Sequence, residues 1–407
     1  MYRITIREGK EKLLVKHHPW VFSGAVESVE PSYSEPGFAE VCKADGAFIA
    51  YGYYDERSHI ILHLLSWRKQ ERMDGAFIRR LTRDAVTRRR RLFSLEGTTA
   101  FRLIHGEADF LPGVAADCYG REIRIIVSSR FADAFLPQIA AELDSILHPS
   151  LIAASPDPAF LQAEGLRDRT RLFREGKEQE AEDERQSILF KENGIYYELP
   201  PGKGQKSGFY CDQRDNREAI EKHAKGRRVL DVCSFTGGFT LHALRAGAES
   251  VKAVDSSESA LRHLLYQVHI NEDRNAIPEG SRDKVSIESA DCFEYMRSIG
   301  RNEYDMMILD PPKLAKTKGQ LESARKAYKD LNRLAMEKIA DGGIIATFSC
   351  SGAMTREEFL MTLSWAAKDA GVEVQVLETL SAGEDHPVRL SFPESEYLKG
   401  YILRILR

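Results

Sequence analysis

No apolar run in the sequence is long enough to cross a bilayer. Stretches such as MMIL at 306–309 fall far short of the roughly 20 residues a spanning helix needs. The chain opens without the basic segment and apolar stretch of a secretory leader, so a cytoplasmic address is expected. Its six cysteines (Cys42, Cys118, Cys211, Cys233, Cys292, Cys350) show no CxxC spacing and no nearby histidine pairs. That pattern indicates free thiols rather than a metal site or a disulfide framework. A net charge of −4 gives no general attraction to phosphate, so any nucleic-acid contact has to come from local basic surface. What is present is ordinary globular material, 43% hydrophobic and 29% charged. At 407 residues the chain exceeds one ordinary core, and two or three domains are expected.

Residues 1–72 form a first module, in which YRITI, FAEVCKA, AFIAYGYY and HIILHLLS read as short strands between Gly, Pro and Asp turn signals. Nine Lys/Arg balance nine Asp/Glu over residues 1–70, so any RNA recognition there works by shape. Residues 73–187 open with GAFIRRLTRDAVTRRRRLFSL, read as one amphipathic helix carrying seven arginines. Arg88, Arg89, Arg90 and Arg91 are its candidate phosphate contacts, with a solvated helix face as the alternative. A small α+β unit follows, and the mixed-charge stretch 174–187 reads as an exposed connection or hairpin tip. Residues 188–407 alternate strand and helix as in an α/β, doubly wound, Rossmann-like sheet. Five strands are expected within 228–235, 250–257, 284–291, 304–312 and 343–350, and two final β runs bring the total to seven.

In such a sheet the ligand lies beyond the carboxyl ends of the strands. After the first strand comes DVCSFTGGF, where Gly237 and Gly238 let backbone approach a ligand and open a helix. This turn lacks the G-x-G-x-x-G spacing of a dinucleotide fold. Asp255 ends the second strand, 24 residues after Asp231, and an acid there can accept both hydroxyls of a ribose. Asp291 ends the third strand beside Cys292, either to read an adenine edge or to cap a helix. The fourth strand ends in LDPPK, where Pro311 and Pro312 fix a rigid rim for a flat base and Asp310 lies beneath it as an acceptor. The fifth ends in FSCS, which puts the Cys350 thiol at the same edge as Asp310.

LDVCSFTGGF, LDPPK, FSCS and GFYCDQRDNR together resemble the ribosomal RNA large-subunit (cytosine-5)-methyltransferases that carry an N-terminal PUA domain. The resemblance extends over nearly the whole chain: LLVKHHPWVFSGAV and GYYDERSHIILHLLS resemble the PUA module, and DHPVRLSFPESEYLKGYIL the closing segment. It implies that S-adenosylmethionine is the cofactor, surrounded by Asp231, Cys233, Ser234, Phe235, Thr236, Gly237, Gly238 and Phe239. Asp255 and Ser256 would lie at the ribose, Asp291 and Cys292 near adenine, and Gln213 and Asn216 would close over the whole. Cys350 and Asp310 would be catalytic, with Pro311, Pro312 and Lys313 at the substrate. Lys313 stands where many RNA cytosine-5 methyltransferases outside this family have a second cysteine.

Carbon 5 of cytosine is a weak nucleophile, and addition of a thiolate to carbon 6 makes it enamine-like. The implied partner is large-subunit ribosomal RNA in which the base can leave its stack. Three alternatives stay open: methylation of a guanine nitrogen on the same fold, a nicotinamide-dependent oxidoreductase, and a non-catalytic RNA-binding assembly factor. No metal and no membrane are expected, and a homodimer is left open.

Overall fold

The computed structural model describes residues 1–32, 35–179, 187–200, 208–315 and 318–407. Contacts divide the chain into two compact units. The first comprises Met1–Phe190, Leu199–Cys211 and Asp385–Ser395; the second comprises Lys191–Glu198, Asp212–Glu384 and Glu396–Arg407. Among the described residues no helix is long and apolar enough to cross a membrane.

The first unit holds two six-stranded sheets. In one, Tyr2–Ile6 lies between Val26–Glu30 and Gly37–Lys43, followed by Phe48–Tyr54, Leu62–Ser66 and Trp20–Val21. Tyr2, Ile4 and Ile6 all face its core, as the period of two in YRITI requires. The other sheet runs from Ala100–His105 through Val114–Tyr119, Glu122–Val127, Leu151–Pro156 and Arg171–Arg174 to Lys177–Gln179. Helices Gly75–Arg88 and Arg130–Leu147 share its core through Phe77, Leu81 and Ala85 from one and Phe131, Ile139 and Leu143 from the other. Arg171–Arg174 and Lys177–Gln179 form a hairpin; the rest of the mixed-charge connection, 180–186, lies outside the described residues.

The arginine-rich segment is not one helix. It ends at Arg88, and a short 3-10 turn, Leu92–Ser94, follows. Arg89 caps the helix, and its guanidinium turns inward to Asp109 Oδ1 at 2.6 Å and to the Asp385 carbonyl at 3.0 Å, leaving Arg89 2% exposed.

In the second unit the sheet order is Val285–Ser289, Ser250–Asp255, Arg228–Val232, Met306–Leu309, Ile344–Ser349, Lys399–Leu406, Glu373–Ser381. The first five are parallel, and Lys399–Leu406 runs antiparallel to both its neighbours. The order reverses between Arg228–Val232 and Met306–Leu309, which is where an open α/β sheet forms its ligand crevice. Met306, Met307, Ile308 and Leu309 are all fully buried, because helices cover both faces of a parallel sheet and leave no solvent side.

Candidate functional site

Asp231 and Asp255 lie within their strands, whereas the strands Val285–Ser289, Met306–Leu309 and Ile344–Ser349 stop before Asp291, Asp310 and Cys350, which lie on the loops at the carboxyl edge. Asp231, in the first strand, is completely buried and accepts a hydrogen bond from Thr240 Oγ1 at 2.7 Å. Burial pushes its carboxyl up to about 7. Beyond it the chain turns through Cys233 (φ 61°), Phe235 (φ 49°) and Gly237 (φ 85°), all left-handed. Asp255 pins this turn: its Oδ2 accepts from the Phe235 N–H at 2.9 Å and its Oδ1 from the Ser257 N–H at 2.8 Å. A carboxylate oxygen has two lone pairs, so Asp255 can still accept from a ribose.

Gly237 and Gly238 are closely enclosed by the protein itself. A Cβ at Gly237 would stand 2.4 Å from Leu264 Cγ, and one at Gly238 2.5 Å from Arg217 Nε. The close approach that demands glycine here is to the protein's own side chains. Arg217 is itself buried and paired with Glu192 at 2.6 Å.

Asp291 takes the helix-capping alternative, its Oδ1 accepting from the N–H groups of Phe293 at 2.9 Å and Glu294 at 3.0 Å. The Cys292 thiol, together with burial, drives the Cys233 thiol well up, while the Cys233 thiol and the backbone N–H groups at the helix start hold Cys292 down against burial and the charge of Asp291. Ser256 is exposed.

Asp310 follows the fourth strand and is half-buried. Burial, then the charge of Asp212, push its carboxyl up to about 7, against a hydrogen bond with Gln213. Gln213 is held by Asn216, whose Nδ2 donates to Gln213 Oε1 at 2.6 Å. Pro311 is buried, whereas Pro312 and Lys313 are exposed. Cys350, half-buried, follows the adjacent fifth strand. Ser351 joins the two loops: its Oγ accepts from the Ala315 N–H at 3.1 Å and lies 3.1 Å from the Tyr328 hydroxyl.

The residues named from the sequence on strands one to five, together with Gln213 and Asn216, therefore share one edge of one sheet. The arginines Arg88 to Arg91 belong to the first unit. Arg89 is withdrawn as a surface contact because it is buried against Asp109. Arg88 also pairs with Asp109, at 3.2 Å, while Arg80 and Arg83 pair with Glu71 and Glu142. Arg90 and Arg91 remain exposed. The sequence reading missed Ser351, Tyr328, Arg217 and Lys399. Of these, only Lys399 carries a signal, a lysine just ahead of the apolar run 401–403.

The residues suit a ligand with an amino acid end and hydroxyls. Asp231 Oδ1, Ser234 Oγ and Asp212 Oδ1 are buried atoms without a partner, and such atoms are costly unless something bonds them.

Residues 166–388 match the family model described as S-adenosylmethionine-dependent methyltransferase, and residues 4–67 match a PUA-like domain. The chain is 36% identical over 406 residues to the ribosomal RNA large subunit methyltransferase I of Pseudoalteromonas atlantica, covering 99% of each chain. It is 34% identical over 401 residues to the protein of that name from Aeromonas salmonicida, covering 98% of each. Among solved structures, a candidate methyltransferase complexed with S-adenosylhomocysteine superposes with a TM-score of 0.81 at 21% identity, over 99% of this chain and 100% of that one. A second, from Streptococcus mutans, gives 0.80 at 21% identity over the same shares. Both show the fold.

Proposed function

The chain belongs to the S-adenosylmethionine-dependent methyltransferase family whose curated members are named ribosomal RNA large subunit methyltransferase I, and on that premise we propose that it methylates carbon 5 of a cytosine in large-subunit ribosomal RNA with Cys350 as nucleophile. One observation carries the reading: Cys350 and Asp310 end adjacent strands of the sheet, and Ser351 and Ala315 tie their loops together at 3.1 Å.

The proposal assigns Asp231, the turn Cys233–Phe239, Asp255, Ser256, Asp291 and Cys292 to the cofactor, with Gln213 and Asn216 closing over it. S-adenosylmethionine supplies the methyl group as a sulfonium. The Cys350 thiolate adds to carbon 6, and its electron pair forms the S–C6 bond while the C5=C6 pair becomes available at carbon 5. Asp310, with a carboxyl near neutrality, donates a hydrogen bond to ring nitrogen 3 and draws off the charge that addition creates. Once carbon 5 is methylated, a base removes its proton and the S–C6 pair returns to sulfur. Pro311 and Pro312 form the rim, with Lys313 exposed toward the RNA. In this reading residues 1–72 are the PUA-like module, 73–187 the central module and 188–407 the catalytic module.

Nucleoside mass spectrometry of ribosomal RNA from cells with and without the gene should show one 5-methylcytosine disappear. Tritium release from RNA labelled at carbon 5 of cytosine should accompany turnover. Loss of a methylguanine without tritium release would replace cytosine as the target.

A further inference from the structure

Lys399 is the first residue of the strand Lys399–Leu406, and the antiparallel register sets it opposite Ser349, the residue before Cys350. A lysine there is unusual, for it is 1% exposed and is followed by buried Gly400, Tyr401, Ile402 and Leu403. A buried ammonium needs bonding partners. Its Nζ donates to the carbonyls of Ser351 at 2.9 Å and Met354 at 2.6 Å, both fully buried residues. Among the described residues no carboxylate forms an ion pair with it; the two carbonyls are its direct partners, and the charge of Glu396 acts on it from farther away. Those carbonyls belong to the turn that leaves the fifth strand through Cys350.

We propose that Lys399 is the positioning residue of this site: its buried ammonium holds the turn Cys350–Met354 and supplies the positive charge beside which the Cys350 thiol ionises. The proposal rests on the reading of Cys350 as the nucleophile.

The surroundings are consistent with this role. Glu396 and Arg356 pair with each other at 2.9 Å and largely cancel. Lys313, from the fourth-strand loop, adds a second positive charge at the surface. Tyr328, from the helix Leu321–Lys338, stays neutral, with burial pushing its phenol up to about 12. Burial pulls Lys399 itself down to about 8, opposed by the charge of Glu396 and, more weakly, of Cys350. The ammonium is therefore charged at neutral pH, and a thiolate beside it favours both ions. A proton that leaves Cys350 goes to solvent or to the base, and Lys399 keeps its own.

The test is alkylation of the full-length protein with iodoacetamide across about pH 6 to about pH 10, followed at Cys350 by peptide mass spectrometry. Wild-type Cys350 should ionise below the free thiol value of about 8.5. Lys399→Gln, which can still donate to both carbonyls but carries no charge, should raise that midpoint by about one unit or more. Alkylation at neutral pH then slows about tenfold. Lys399→Arg should stay near wild type, and Cys292 should be unaffected in both. S-adenosylhomocysteine titration reports whether each variant is folded. An unshifted Cys350 midpoint in folded Lys399→Gln overturns the proposal. So does a wild-type midpoint at or above the free value, a measurement that needs no variant. Because alkylation does not require turnover, an active Cys350→Ala would refute the covalent reading separately.

Discussion

Cys350→Ala removes one small, half-buried side chain after the strand Ile344–Ser349, so the sheet should fold and S-adenosylhomocysteine should still bind. Methyl transfer should fall to background, and RNA containing 5-fluorocytosine should trap wild type but not this variant as a covalent adduct. Near-normal turnover by folded Cys350→Ala would remove the thiolate from the mechanism. Asp310→Asn keeps a hydrogen-bond donor but cannot titrate. Turnover should drop by about 10²-fold or more, and the ionisation near pH 7 should vanish from the rate profile. Asp231 makes a thermodynamic prediction. Its folded value, about 7, lies above the unfolded one, so it costs nothing at low pH. As pH rises from about 4 to about 7 the unfolded chain ionises first, and the fold loses on the order of a few kcal/mol. Urea titrations should show wild type losing stability relative to Asp231→Asn across that window, and parallel curves would show that Asp231 ionises normally.

The elements that hold the site differ in how legible they were from sequence. The parallel strands announce themselves because a sheet covered on both faces needs apolar, β-branched-rich segments; MMIL is continuously apolar, and VLDV and VKAVD are interrupted only by Asp231, Lys252 and Asp255. Their ends were read one to three residues too long, since loop residues such as Cys233 and Ser256 continue a strand-like composition without pairing. The turn Cys233–Gly237 could be placed, but not the reason for its glycines, because Leu264 and Arg217 come from distant helices. Gly237→Ala should therefore cost roughly 2 kcal/mol or more, from the left-handed backbone and the Leu264 contact together. Equal urea midpoints for variant and wild type would count against that packing. The arginine-rich element was misread for a related reason: periodicity cannot see Asp109. Arg89→Ala should destabilise by about 1.5–3 kcal/mol, because it removes the shortest charged partner of buried Asp109 and leaves Arg88 and the His105 N–H to satisfy it. Arg90→Ala should leave stability alone and, if it meets phosphate, lower the salt slope of RNA binding by about 0.7–0.9. An unchanged slope returns Arg90 to a solvated surface.

At the scale of the whole molecule, neither compact unit is one continuous stretch of chain. The first takes Asp385–Ser395 from far downstream. There Asp385 Oδ2 accepts from the Arg102 N–H at 2.8 Å, and Arg389 donates to the carbonyls of His17 at 2.9 Å and Glu107 at 3.1 Å. The Phe392 ring packs 4.7 Å from Trp20. Synthesis runs from the amino end, so nearly the entire polypeptide has to emerge before the earliest-made part receives its last piece. A nascent chain halted at residue 190 should be protected from protease less fully than the finished protein around Arg89 and Arg102, because Asp385, which bonds both, has not yet been made. Completion of the amino-terminal unit thus reports that every strand of the catalytic sheet but Lys399–Leu406 has already been translated, and a product truncated earlier is left incomplete at its oldest end.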